Sequence, residues 1–572
     1  MRCRKSFVLY LFIVFSFAAS AFAQRELGVR PTETGGPLMA EQAAYDVLTY
    51  DVTVKVDPKN KWISGTTVMT AKVVNPTSVV VLHLDPAMKI EKIFGESAEK
   101  DRQGGLRYEH KDGKVWITFP NVKRAGEGFE TIITYSGKPK TAPRPPWVGG
   151  FMWEKTPSGA DWVSVALQND GADLYFPVKD HPSDKADRVA MHITVPDPLV
   201  AAGPGKFEGS TKNADGTTTY NWLMTNPIPN YSVVFNAAPY RTIEDSMKSI
   251  TGETIPIVFY ILPENYDKGA KLIAETKKYV QFFEKYNGPF PFRSQKLGIV
   301  ETPHLGMEHS TLIAYGNKFQ YNADGFDWLM LHELGHEWWA NLVTARDWND
   351  FWIHEGFQSF MDTLYLEHIG KKDAYFESMK QRARRTRNMQ PVAPRGAKFA
   401  YQVYLAAPDY VNSDGDIYGK GAVVLHTLRY LIGDDAFFRA LKRMAYPRPA
   451  MERITDGRQT RLTDTDEFLR IAEQESKMDL DWFFEMYLRQ PKLPVLKVAP
   501  GTCTADTGSG ETSCEIELRW ETPKNMSFPM PVEVTIDGKT QRIEMRGGLG
   551  RFAHNKDSLP AIDPKGWVLM AK

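Results

Sequence analysis

His332-Glu333-Leu334-Gly335-His336, with Glu355 after eighteen intervening residues, limits what this chain can fold into. Histidines at i and i+4 share one face of an α-helix, so this segment must be helical for its two imidazoles to meet. Two imidazoles so placed can bind a single zinc ion, and Glu333 between them can reach a water at the metal without ligating it. A third ligand from a following helix, Glu355, completes three protein groups plus one open position. That open position separates a catalytic zinc site from a structural one, which four protein ligands close. The pattern argues for metal-assisted hydrolysis.

The flanks agree with a helix. Trp328 to Leu331 and Trp338 to Ala340 are apolar, with no proline or turn cluster between them. Trp352-Ile353-His354-Glu355-Gly356-Phe357 opens a second helical pattern that runs to about His368 and stops at Gly370. A glutamate beside such an apolar run is costly to bury unpaired, and a metal would pair it. The competing reading makes His332 and His336 ordinary core or surface histidines and Glu355 a solvated residue. The triplet together with Glu333 disfavours it.

Further motifs give the chain a family resemblance. Phe290-Pro291-Phe292 leads to Leu305-Gly306-Met307-Glu308-His309, HELGHEWWANLVT spans His332 to Thr344, and Tyr418-Gly419-Lys420-Gly421-Ala422 follows. In this order they resemble the zinc aminopeptidases related to aminopeptidase N and leukotriene hydrolase, the gluzincin aminopeptidases. The resemblance extends upstream to Tyr175-Phe176-Pro177-Val178-Lys179-Asp180-His181-Pro182, where Val178 stands for the family's cysteine. Leu305 replaces the first glycine of the exopeptidase motif, His309 its terminal asparagine, His354 the asparagine before the glutamate ligand, and Ala340 a glycine of the zinc helix. None of these departures removes a ligand or an acid/base group.

The resemblance implies roles. One Zn2+ per chain is held by His332, His336 and Glu355. Glu333 is the general base and Tyr418 the phenolic donor to the oxyanion. Glu308, on a strand with Gly306 and Met307, pairs with the substrate's α-ammonium, and Gln168 corresponds to a glutamine that assists. The substrates expected are peptides with a free N-terminus. A thermolysin-like endopeptidase, an epoxide-type hydrolase on the same scaffold and a non-catalytic binding protein are the alternatives. Internal peptides lack the charge that Glu308 would pair with, and the intact ligand and acid/base set argues against loss of catalysis.

Composition narrows the partners. Seventy Lys and Arg balance seventy Asp and Glu, so no electrostatic footprint points to nucleic acid. The cluster Arg382, Arg384, Arg385 and Arg387 reads as a solvated helix face. Met1 to Lys5 is a basic n-region, Phe7 to Phe17 an apolar run and Ala21-Phe22-Ala23 a small-residue cleavage site, the pattern of a secretory signal. An exported protein, periplasmic or secreted, with no stable membrane anchor after cleavage is expected. Cys503 and Cys514, which remain after cleavage, are expected to form one disulfide in an oxidising compartment.

The 572 residues are too many for one core. After a signal at 1–23, an antiparallel β domain is expected at 24–245, because short alternating runs recur from about Tyr45 to about Ile243. Residues 246–490 change to helical period, with a long helix over Lys268 to Tyr286 ended by Asn287-Gly288-Pro289, and predict an α+β catalytic domain of thermolysin-like type. The irregular stretch Gln390 to Asp416 is read as a loop delivering Tyr418. Residues 491–572, after a linker at Gln490 to Pro494, return to alternation and predict a small β-sandwich.

Overall fold

Period-two alternation is realised as strands in the first third of the chain. The computed structural model describes residues 32–95, 105–406, 412–505, 512–555 and 558–571, so the expected signal at 1–23 lies outside the described residues. Along Tyr45–Asp57, Val47, Val52, Val54 and Val56 are buried while their neighbours face outward. This strand is central to a seven-stranded sheet with Trp62–Val73, Gly128–Gly137 and Met88–Gly95 to one side and Arg188–Pro196, Thr217–Met224 and Lys206–Lys212 to the other. Its pairings are antiparallel except that Tyr45–Asp57 runs parallel to Arg188–Pro196. Two smaller sheets draw strands from the chain between these two, and one of them also from the chain beyond Arg188–Pro196. One has the strand order Val200–Ala202, Asn236–Ala238, Asp161–Ala166 and Gly150–Lys155, and its strand Asp161–Ala166 runs into Leu167-Gln168, which carries Gln168 toward the second domain.

The second domain opens with the hairpin Arg241–Lys248 and Thr254–Ile261, a few residues ahead of the expected boundary at 246. Its five-stranded sheet continues through Leu297–Glu301 and Ile313–Tyr315, parallel to Thr254–Ile261, and closes on the short antiparallel edge strand Gly306–Met307. Every residue of Leu297–Glu301 is buried, as expected for a strand covered on both faces. The helix Tyr266–Asn287 packs Leu272, Ile273, Val280 and Phe283 inward and ends at Gly288, whose φ of 95° suits glycine.

The HELGH helix spans Trp328–Gly335 and starts at Asp327, whose carboxylate accepts from the backbone N–H groups of Leu329 and Met330. The chain then passes into a wider turn over Glu337–Leu342 in which Trp339 and Ala340 leave helical geometry. The Glu355 helix, Trp352–His368, ends where the sequence predicts and is buried on almost every side. Against it lies the helix Gly419–Ile432. Glycines at the crossing allow the close approach, because a Cβ on Gly421 would stand 2.9 Å from the Cα of Gly356. Tyr418, one residue before that helix, is thereby held beside the ligands.

Further helices, Asp434–Ala445, Thr465–Ser476 and Asp481–Leu488, complete the helical layer. No helix among the described residues is long and apolar enough to cross a membrane. The C-terminal region forms two three-stranded sheets around Trp520, Phe528, Val532 and Val534. Cys503 and Cys514 are bonded across the paired strands Val495–Ala505 and Thr512–Glu521. The last strand and tail clamp the catalytic helices: Trp567 stacks on His426 at 4.6 Å, Thr427 Oγ1 donates to the Trp567 carbonyl, and Tyr487 donates to the Leu569 carbonyl at 2.7 Å.

Gly421→Ala places a methyl against backbone that has nowhere to move. It is expected to cost about 1–3 kcal/mol and to shift Tyr418. Denaturant unfolding should show a lower midpoint and steady-state kinetics a reduced kcat; an unchanged midpoint contradicts the packing argument.

Candidate active site

Three donor atoms face one another where the two helices meet. His332 Nε2 and His336 Nε2 are 3.2 Å apart, and Glu355 Oε2 lies 3.6 and 3.4 Å from them. Tetrahedral zinc with bonds of about 2.0–2.1 Å sets its ligand atoms roughly 3.3–3.4 Å apart. The triangle therefore matches zinc in size as well as in donor chemistry. Glu355 Oε2 is buried without a hydrogen-bond partner among the described residues, as an atom reserved for a metal would be. Burial alone would push the Glu355 carboxyl up, but the two imidazoles beside it outweigh burial and hold it well below the usual carboxylate range. Burial pushes His336 the other way, and Glu355 leads the opposing influences that raise it. The cluster is built around a positive charge.

Both imidazoles are oriented from behind. His332 Nδ1 is 2.8 Å from Asp362 Oδ2, and Asp362 is itself held by Gln358 Nε2 at 2.9 Å. His336 Nδ1 is 2.8 Å from the Trp339 carbonyl, which the departure from helical geometry turns toward it. Both contacts fix Nε2 as the ligating nitrogen.

Glu333 projects toward the edge strand. A Cβ on Gly306 would fall 2.5 Å from Glu333 Oε1, so only glycine there lets the strand run against the carboxylate. Burial pushes the Glu333 carboxyl up, to about 8, with Glu308 and Glu355 adding to the rise and the imidazoles opposing it.

Past Met307, which is buried, the strand presents Glu308. Glu308 Oε1 accepts a short hydrogen bond from Gln168 Nε2 and another from the Tyr231 hydroxyl at 2.9 Å. Asn341 Nδ2 donates to the Glu308 carbonyl at 2.9 Å and ties the strand to the turn after the HELGH helix. Gln168 Oε1 accepts from Tyr404 at 2.6 Å, and the Tyr404 hydroxyl lies 3.4 Å from Glu355 Oε1 and accepts from Tyr418 at 3.2 Å. Burial raises the Tyr418 pKa well above the ordinary phenol value, with Glu355 adding to it, so the group stays an O–H donor at neutral pH.

All nine residues singled out from the sequence, His332, Glu333, His336, Glu355, Tyr418, Glu308, Gln168, Gly306 and Met307, come together here. They line one cleft of about 270 Å3 with Leu305, Trp147, Asp362 and Arg382. Four functional neighbours escaped the sequence reading. Asp362 stands seven residues after Glu355, two turns along one helix face, and that spacing could have flagged it. Tyr404 lies in the stretch expected to deliver Tyr418, but Tyr231 and Arg382 arrive by tertiary folding and carry no local signal. Among the departures from the family pattern, His354 accepts from the Ala345 N–H at 2.9 Å and burial keeps it neutral. His309 is buried, uncharged and, among the described residues, without a hydrogen-bond partner on either ring nitrogen.

A buried His/His/Glu triangle on two packed helices, with a carboxylate alongside, defines the site of a metal-dependent hydrolase. Residues 47–232 match the Peptidase M1 N-terminal domain and residues 272–487 the Peptidase family M1 domain, together well over half of the sequence, and the chain belongs to the M1 peptidase family. Endoplasmic reticulum aminopeptidase 1 of Mus musculus is 23% identical over 457 residues, covering 72% of this chain and 46% of that protein. Glutamyl aminopeptidase of Homo sapiens is 25% identical over 372 residues, covering 61% of this chain and 36% of its own. The chain thus spans less than half the length of these relatives. The crystal structure of an M1 zinc metallopeptidase from Deinococcus radiodurans shares the fold, with a TM-score of 0.63 and 22% identity, covering 81% of this chain and 98% of that one.

Asp362→Ala removes the group behind His332 and is expected to weaken zinc binding about 10–100-fold. Competition with a chromogenic chelator measures this directly; unaltered affinity would show that Asp362 has no hold on the ligand.

Proposed function

We propose that this protein is an exported zinc aminopeptidase that removes the first residue from peptides. The observation that carries the reading is Glu308: a buried carboxylate, gripped by Gln168 and Tyr231, at the end of an unpaired strand edge that leads from the metal triangle. Such a carboxylate needs a cation, and the α-ammonium of a peptide laid along the edge supplies one. An internal peptide segment would leave Glu308 unpaired, which separates this reading from an endopeptidase.

His332, His336 and Glu355 would hold the zinc, which would supply a Lewis acid for the scissile carbonyl and a water activated near neutral pH. Glu333 takes the proton from the attacking water and returns it to the leaving amine. Its upward-shifted carboxyl suits a group that must gain and lose a proton in one cycle. Tyr418 donates its O–H to the oxygen on which negative charge develops. Tyr404, bonded to both Gln168 and Tyr418, keeps the amine pocket and the oxyanion donor in register. The edge strand supplies backbone groups along which the peptide extends, with Gly306 leaving room beside Glu333.

The leader pattern at 1–23 and the Cys503–Cys514 bond support a site of action outside the cytoplasm, where disulfides persist.

Aminoacyl p-nitroanilides should be hydrolysed with zinc present and not after chelation, and their N-acetyl forms should be poor substrates. Glu308→Ala should lose activity chiefly on the free amines, by about 10²-fold or more. Equal rates on acetylated and free substrates would overturn the exopeptidase reading.

A further inference from the structure

The cleft carries opposite charges at its two ends. At one end are Glu308, Gln168 and Tyr404, close to Glu355 near the start of its helix. Along the same helix face Ser359 and Asp362 continue the cleft wall beyond the ligands, and Arg382 stands beside them. Arg382 comes from the next helix, Lys372–Arg384, and its Nε is anchored on Thr363 Oγ1 at 3.1 Å. Its two terminal guanidinium nitrogens have no hydrogen-bond or ion-pair partner among the described residues. Asp362, the nearest acid to influence it, is committed to His332 and Gln358. Glu308 gathers with Glu333 and His336, their polar atoms within 4.8 Å of one another, whereas Arg382 stands by Asp362 behind His332, on the other side of the triangle.

The direction of a bound peptide follows from these positions. Its ammonium sits at Glu308, its scissile carbonyl at the triangle beside Glu333, and its downstream part runs toward His332, Asp362 and Arg382. From Glu355 to Asp362 the helix rises roughly 10 Å. An extended chain advances about 3.3 Å per residue, so two or three residues span that distance. A cleft volume of about 270 Å3 is just below the usual range of ~300–1,000 Å3 for small-ligand sites, in keeping with so short an occupant.

We propose that Arg382 is a specificity residue that binds the C-terminal carboxylate of di- and tripeptides, so that the cleft reads both charged ends of a short zwitterionic peptide. This rests on the aminopeptidase reading above and adds a substrate class to it. A planar guanidinium anchored through Nε keeps its two terminal nitrogens free for a bidentate grip on a carboxylate, which a lysine could not reproduce. The arrangement also disfavours long peptides, which offer Arg382 a neutral carbonyl in place of a carboxylate.

The test uses the zinc-loaded protein and three substrates: Ala-Ala-Ala, its C-terminal amide and its N-acetyl form. Amidation is expected to lower kcat/KM about 10–100-fold, chiefly through KM. Arg382→Gln should bring the acid-to-amide ratio close to 1, and Arg382→Lys should restore only part of it. Calorimetry on Glu333→Gln protein should show the same preference in binding, lost in Glu333→Gln/Arg382→Gln. Indifference to amidation in the unsubstituted protein, with acetylation still abolishing cleavage, overturns this inference alone. Undiminished cleavage of the acetylated peptide overturns the aminopeptidase reading beneath it. Equal loss on acid and amide with a fall in zinc content would make Arg382 a support for Asp362 and His332, and would also overturn the inference.

Discussion

Three lone-pair donors that face one another at 3.2–3.6 Å, His332 Nε2, His336 Nε2 and Glu355 Oε2, set the terms for the rest of the molecule. Brought together without a cation they would be strongly destabilising, since a buried carboxylate oxygen without a partner forfeits its hydration. Their positions depend on two helices meeting at a fixed separation. The capping of the HELGH helix by Asp327, the departure from helical geometry at Trp339 and the glycine crossing at Gly356 and Gly421 each fix part of that geometry. The site is rigid because the helices carrying it are buried on almost every side.

The second organising feature is a free strand edge. Sheets generally cover or blunt their edges. Here Gly306–Met307 ends the catalytic sheet beside the metal triangle and leads into Glu308. The N-terminal domain closes this end of the cleft, contributing Gln168 from just past the strand Asp161–Ala166 of a small sheet and Tyr231 from the segment that follows the large one. The amine pocket therefore exists only when the two domains are docked, whereas the metal triangle belongs to the catalytic domain alone. The C-terminal region acts at a distance, through the tail that grips the helix following Tyr418.

Much of this was legible in the sequence where function coincides with a local period. The i, i+4 histidines, the helix to His368 and the alternation of Tyr45–Asp57 each register in a short window. Glu308 and Tyr418 were legible through resemblance to a family pattern; their bare surroundings are those of ordinary strand and helix-start residues. What stayed hidden comes from long-range assembly. The parallel pairing of Tyr45–Asp57 with Arg188–Pro196 joins segments more than a hundred residues apart. Tyr231 and Arg382 reach the cleft from elements whose local patterns describe only their own packing, and Arg382 looked like one of several solvated arginines. The sequence boundary near 246 falls inside Arg241–Lys248 because a two-stranded hairpin reads alike whichever sheet it joins.

Catalysis by this protein depends on an open zinc site made by two imidazoles and one carboxylate. X-ray absorption at the zinc edge, on protein with its metal content measured, tests that most directly. One zinc per chain is predicted, with a shell of nitrogen and oxygen at about 2.0–2.1 Å, two imidazole contributions and no sulfur. Sulfur scattering near 2.3 Å, or fully active protein that contains no zinc, would contradict it.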